Sequence, residues 1–159
     1  MSDITTVILA AGNSTRFKAS KSKLVYPLCG LPIVSHIFNI AKKISGKNIL
    51  VVSNEKNKEE LKLILNTSKL VVQKKQKGTA DAIEQVKKYV KSKNILILFG
   101  DTPLVEVKDI RKLVSKFKKS KAKASLIAFN TSEPHGYGRL LLNNNYVCLL
   151  YTSDAADDS

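Results

Sequence analysis

Apolar residues in this chain come in two patterns that alternate from the N-terminus onward. Short unbroken runs occur at residues 7–11, 49–52, 70–72 and 95–99. Such runs read as strands buried on both faces, as in a parallel sheet. Between them, apolar residues recur at helical spacing: Ile33, Ile37, Ile40, Ala41 and Ile44, flanked by Val34 and Phe38; Leu61, Ile64 and Leu65; Ile83, Val86 and Val90; Val107, Ile110, Leu113, Val114 and Phe117. Each set marks one buried helix face. Lys42 and Lys43 suit a helix C-terminus, and Gly46 a cap. The pattern predicts strands near residues 48–53, 69–73, 94–99 and 124–129. A helix is expected over 57–65, another from about Thr79, and a last strand after Gly138. Strands alternating with helices through short connections specify an α/β sandwich with a mostly parallel sheet.

The first strand breaks into Gly12-Asn13-Ser14-Thr15 and ends on two cations, Arg16 and Lys23. Small residues after a strand let backbone N–H groups approach a phosphate, Arg16 adds a bidentate fork and Lys23 a mobile charge. The pattern is neither G-x-x-x-x-G-K-[ST] nor the dinucleotide fingerprint, because Gly12 is the only glycine before Gly30. Residues 26–32 follow as a turn-rich passage with two prolines, in which Cys29 reads as a small buried hydrophobe. Pro32 suits the first turn of the next helix. His36 falls inside that helix, as a core or boundary residue.

Three later stretches carry polar groups at places where a ligand could sit. Gln73 opens a polar loop that enters a helix at Gly78-Thr79; Thr79 alone would be an ordinary N-cap. The strand ending at Phe99 stops abruptly in Gly100-Asp101-Thr102-Pro103. Ligands of open parallel sheets bind beyond the carboxyl ends of the strands. A carboxylate there, next to triphosphate oxygens, is suited to Mg²⁺; an Asx turn or helix cap is the plainer alternative. Finally, Gly136 and Gly138 flank Tyr137 ahead of a strand, which suggests irregular backbone near a ligand.

Charge changes this picture little. The chain carries a formal +14, yet only Arg16, Arg111 and Arg139 among its 27 basic residues are arginine. The lysines lie mostly on solvated helix faces, and the arginine, aromatic and fold signatures of nucleic-acid modules do not occur. No apolar run reaches transmembrane length and residues 1–3 lack a signal-peptide pattern, so no nucleic acid, no membrane and a cytoplasmic location are expected. Two cysteines make neither a disulfide framework nor a metal site.

Taken in order, Leu9-Ala10-Ala11-Gly12 with Arg16, Ser22-Lys23-Leu24, Leu28-x-Gly30, Gln73 with Gly78-Thr79, Phe99-Gly100-Asp101-x-Pro103-Leu104 and Gly136-Tyr137-Gly138-Arg139 resemble the sugar-phosphate nucleotidyltransferase family. Within it they are most similar to the N-terminal uridylyltransferase half of the bacterial bifunctional N-acetylglucosamine-1-phosphate enzymes. The resemblance spans residues 4–147. It implies a three-layer α/β/α, Rossmann-like nucleotide-diphospho-sugar transferase fold, C-terminally incomplete. It also implies a reaction in which N-acetylglucosamine 1-phosphate attacks UTP to give UDP-N-acetylglucosamine and pyrophosphate, in cell-envelope precursor synthesis.

The resemblance further implies roles for individual residues. Leu9, Ala10, Ala11 and Gly12 would contact the nucleotide, with Arg16 and Lys23 on its phosphates. Gln73, Gly78 and Thr79 would form the base and ribose pocket, the Gln73 amide donating and accepting at once on a uracil edge. Phe99 and Gly100 would line the nucleotide, Asp101 would hold Mg²⁺, and Gly138 would contact the sugar. Arg16, Lys23 and Asp101 would carry catalysis, and the intact parent would be a homo-oligomer. Phe99 stands where these enzymes often have Tyr, and Asp81 where they often have His. The Gly-Thr-Ala-Asp-Ala run is also similar to that of adenylyltransferases. Guanylyl- or cytidylyltransferases of the same fold and a non-catalytic nucleotide-binding module are the competing readings.

Composition shifts at the end, with three Asp and no Lys in the last nine residues. This stretch is similar to a translated sequencing-library adapter. The expectation is a truncated nucleotidyltransferase domain over residues 1–147, a non-native tail over 148–159, and little turnover by the chain alone.

Overall fold

The computed structural model describes residues 3–12, 21–66, 69–75, 77–133, 135, 137–144 and 146–151. The chain falls into two compact units, Met1–Ala122 and Lys123–Ser159.

The first unit begins with β1 (Ile4–Leu9), then a single 3-10 turn at Lys23–Val25. Strands β2 (Pro27–Leu28) and β3 (Leu31–Pro32) form a small antiparallel hairpin ahead of α1 (Ile33–Ser45). There follow β4 (Ile49–Ser53), α2 (Lys58–Leu65), β5 (Leu70–Val72), and α3 (Thr79–Val86) with a 3-10 turn at Lys87–Tyr89. Strand β6 (Asn94–Phe99) and α4 (Val107–Lys119) complete the unit. The sheet order is β5-β4-β1-β6, with every pairing parallel.

Period-two alternation divides the core between the faces of this sheet. Ile4 and Ile8 of β1, Ile49 and Val51 of β4, and Leu96 and Leu98 of β6 pack in one cluster with α1, α2 and α4 residues such as Ile37, Leu61 and Ile110. Val7, Leu50 and Val52 point the other way and pack with Ala82 and Val86 of α3. Helices thus cover both faces, in three layers. Helix α1 ends where Gly46, at φ 59°, donates its N–H to Lys42 O (3.0 Å). That left-handed position favours glycine.

Several sequence expectations need correction. Cys29 is exposed rather than buried. It pairs with Gly30 as a two-residue hairpin turn in which both have positive φ (48° and 81°), which drives the side chain outward. His36 is half-buried, and its Nε2–H donates to Leu28 O (2.8 Å), tying this hairpin to α1. Thr79 is not a cap: Gly78, at φ 96°, holds the position before α3. Residues 124–129 form no strand. Leu126, Ile127 and Phe129 are exposed there, and a strand without a partner ladder is not formed.

In the second unit, β7 (Arg139–Asn143) and β8 (Tyr146–Tyr151) form an antiparallel hairpin with an irregularity at Leu141/Leu142. Among the described residues no helix is long and apolar enough to cross a membrane.

Candidate active site

The chain runs outward from β1 to β4 and β5, then returns to place β6 on the opposite side of β1. Strand order therefore reverses between β1 and β6. In open α/β sheets the crevice beyond the carboxyl ends at such a point is where ligands bind. Leu9, Ala10, Ala11 and Gly12 leave β1 into this crevice, and Phe99, Gly100 and Asp101 leave β6 into it.

Gly100 joins the two strand ends. Its N–H donates to Leu9 O at 2.9 Å. A Cβ on Gly100 would lie 3.2 Å from Leu9 O and 3.5 Å from Leu24 Cδ2. A side chain there would press on that carbonyl by a few tenths of an ångström. Leu24, itself buried, anchors the 3-10 turn beside it, and the neighbouring Lys23 reaches across the crevice. Lys23 Nζ donates to Asp101 Oδ2 at 2.6 Å. Their side chains are 38% and 42% exposed, so both charges remain open to solvent. Asp101 neither caps nor adjoins α4, whose N-cap is Glu106. The cap alternative for Asp101 is thereby removed.

Gln73, Gly78 and Thr79 come together at the carboxyl end of β5, on the same sheet edge. They lie two strand spacings from β1, about 10 Å. Gln73 is only 3% exposed. Its Nε2 donates to both Gly78 O (3.2 Å) and Asp81 Oδ2 (2.6 Å). Two acceptors facing one atom identify that atom as the amide nitrogen, and both amide hydrogens are then used. The expected donor-and-acceptor reading by Gln73 is corrected: in this conformation only Oε1 can meet a ligand, as an acceptor.

Two residues escape sequence reasoning. Asn54 and Asn57, 5% and 2% exposed, lie between β4 and α2. Asn57 Nδ2 donates to Ala10 O at 2.8 Å and Asn54 Nδ2 to Ala11 O at 3.0 Å. Each is also held by the other's segment: Asn54 N–H donates to Asn57 Oδ1, and Asn57 N–H to Asn54 Oδ1. A polar pair three residues apart, just after the apolar run 49–52, was the available signal. Arg16 lies outside the described residues, as does Gly136. Gly138 lies in the second unit, exposed, immediately before β7.

The model of the MobA-like NTP transferase domain matches residues 6–152. The chain belongs to this family. The NTP transferase chain is 41% identical over 147 residues to the bifunctional protein GlmU of Buchnera aphidicola subsp. Schizaphis graminum, covering 91% of this chain and 32% of that protein. It is 38% identical over 164 residues to GlmU of Campylobacter fetus subsp. fetus, covering 99% and 36%. The NTP transferase chain therefore spans about a third of the length of these relatives. A Bacillus anthracis structure assigned as a glucose-1-phosphate thymidylyltransferase, in complex with a sucrose, superposes with a TM-score of 0.84 at 19% identity, covering 94% of this chain and 64% of that one. That likeness is one of fold. The NTP transferase domain here has the three-layer, mostly parallel architecture described above.

Proposed function

We propose that this chain is the uridylyl-transferring part of an enzyme that makes UDP-N-acetylglucosamine from UTP and N-acetylglucosamine 1-phosphate. The observation that carries the reading is the Lys23–Asp101 pair at the mouth of the β1/β6 crevice. The similarity to two GlmU proteins supports the choice of base and sugar. In the reaction a phosphate oxygen of the sugar phosphate bonds to the α-phosphorus of UTP. The bond from that phosphorus to the α,β-bridging oxygen breaks, and pyrophosphate leaves with its electrons.

That chemistry asks for in-line placement and neutralisation of charge rather than a proton shuttle. Lys23 supplies a mobile ammonium for the phosphates, and Arg16 a guanidinium. Leu9 to Gly12 present backbone, and Gln73, Gly78 and Thr79 hold the base and ribose. Phe99 and Gly100 line the crevice from the β6 side.

The residues fit a divalent cation such as Mg²⁺. Asp101 offers a half-exposed carboxylate, and among the described residues no cluster of three His, Cys, Asp or Glu forms a closed cage. One carboxylate completed by substrate phosphates is the usual Mg²⁺ arrangement. The cation would neutralise phosphate charge.

The test is thermal unfolding of the chain with Mg²⁺ and UTP, ATP, GTP, CTP or dTTP. A nucleotide at about 100 times its dissociation constant adds roughly 2.7 kcal/mol of stability. A shift selective for UTP is expected. Selectivity for another base would transfer the reading to a cytidylyl-, guanylyl- or adenylyltransferase.

A further inference from the structure

We propose that the outer edge of β6 pairs antiparallel with β6 of a second copy of this chain, about a two-fold axis through Ile97. This goes beyond the nucleotide reading of the crevice and does not depend on it.

The four-stranded sheet has two edges, and they are built differently. Edge strand β5 has three residues and is flanked by Lys69, Lys74 and Lys75. A short strand among lysines is one way in which proteins blunt an edge against pairing. Edge strand β6 has six residues, Asn94-Ile95-Leu96-Ile97-Leu98-Phe99, with neither a charge nor a proline among them. Among the described residues it pairs with β1 alone. In a parallel ladder, alternate residues turn their backbone groups to the same neighbour. Gly100 N–H donates to Leu9 O, so Leu98 and Leu96, in step with it, also face β1. Ile95, Ile97 and Phe99 therefore direct N–H and C=O outward. Of these groups, Phe99 O accepts from Thr102 N–H (3.3 Å) and from the Thr102 hydroxyl (2.9 Å).

The side chains of the same three residues lie on the sheet face of Val7, the register partner of Ile97. None of them joins the cluster that α3 covers on that face. Ile95 is 41% and Phe99 49% exposed, whereas Leu96 and Leu98 on the opposite face are buried. The edge thus offers outward backbone groups and bare apolar side chains at the same positions.

The occupant that fits is β6 itself. Centring the pair on Ile97 lets the two Ile97 residues exchange N–H···O=C bonds, and it sets Phe99 N–H of each copy against Ile95 O of the other. Side chains then meet as Ile97 with Ile97 and as Ile95 with Phe99, the kinds of pair that stabilise antiparallel neighbours. The same register brings the exposed Lys93 of one copy to the end of the ladder where Asp101 of the other leaves β6, positive against negative. The pairing is also closed. The joined sheet ends on two β5 strands, so assembly stops at the dimer.

The full chain is studied by sedimentation velocity at about 0.15 M salt, where repulsion between the basic chains is screened beyond about 8 Å. A reversible monomer–dimer equilibrium is expected, half-formed at roughly 10–100 µM for so short a ladder. Ile97→Lys and Ile97→Asp should each weaken association by about tenfold or more, because like charges then meet on the axis. Mixing these two variants should restore association to within about threefold, with opposite charges facing across the axis. Ile95→Lys mixed with Ile95→Asp should give no such rescue, because residue 95 faces Phe99 of the other copy. Rescue at one position and not the other separates this register from a general effect of added charge. A chain that stays monomeric, growth into open-ended aggregates, no rescue at residue 97, or equal rescue at residue 95 would each overturn the proposal. Hydrogen exchange of the unsubstituted chain decides the matter even if a variant does not fold. The Ile95, Ile97 and Phe99 amides should gain protection as concentration rises, while those of Leu96 and Leu98 stay protected throughout. Protection of Ile97 that is independent of concentration would mean that the edge is filled from within one chain, and would overturn the proposal.

Discussion

Lys23 and Asp101 lie 78 residues apart in sequence and meet at 2.6 Å. One rides on the turn after the loop of β1, the other on the turn after β6, and their chain neighbours Leu24 and Gly100 also lie close to each other. Both charges are more than a third exposed, and exposed pairs of this kind are worth about 0–1 kcal/mol. Their juxtaposition therefore concerns ligands far more than stability. Lys23→Ala and Asp101→Ala should each lower the unfolding free energy by less than about 1 kcal/mol, read from urea midpoints. In a full-length protein carrying this domain, Asp101→Ala should abolish Mg²⁺-dependent turnover. Retained turnover would remove Asp101 from the metal role.

The Gln73–Asp81 contact governs what the base can meet. While Asp81 Oδ2 and Gly78 O hold both amide hydrogens, Gln73 accepts only. Asp81→Leu removes one of the two acceptors, which frees one Gln73 amide hydrogen and releases the amide from its fixed orientation. The expected outcome is a loss of UTP affinity of about tenfold, with a smaller loss for a nucleotide whose base presents an acceptor. Calorimetric titration across the nucleotide panel reads this, and an unchanged order of affinities would show that the contact is not used.

Gly100 should not tolerate a side chain. The atom a Cβ would meet is Leu9 O at 3.2 Å, in the central strand of the sheet, where backbone yields little. Gly100→Ala should cost about 1–2 kcal/mol through overpacking, with the denaturation midpoint lowered and its slope unchanged. A neutral result would mean that the β1 and β6 ends separate easily.

The β2–β3 turn carries Cys29 and Gly30 at positive φ, where Asn-Gly is the favoured pair. Cys29→Asn should raise stability by a few tenths of a kcal/mol, because asparagine enters the left-handed region at lower cost. Differential scanning calorimetry under reducing conditions would detect it, and a fall in melting temperature would contradict the turn geometry.

Much of this architecture was legible in the linear pattern. Four apolar runs became β1, β4, β5 and β6, and the helical stripes became α1 to α4 with small shifts at their ends. Burial demands apolar side chains at the period of each element, so periodicity transmits element type directly. Residues 124–129 misled because alternation and apolar content predict strand only where a partner ladder exists, and there Phe129 is 64% exposed. Cys29 misled because burial depends on where a turn points a side chain, not on residue type.

The site divides in the same way. That Gly12, Gln73 and Asp101 stand just past strand ends was legible, because each follows an apolar run and a parallel sheet exposes its strand ends. Local sequence thus determined which elements form and which polar residues stand at their termini. The pairing of Lys23 with Asp101, the capture of the Gln73 amide by Asp81, and the hold of Asn54 and Asn57 on Ala10 and Ala11 were decided only by the tertiary structure. Strand order sets them. It brings β6 beside β1 and β4 on its other flank, and no spacing along the chain records which ends a parallel sheet will place side by side.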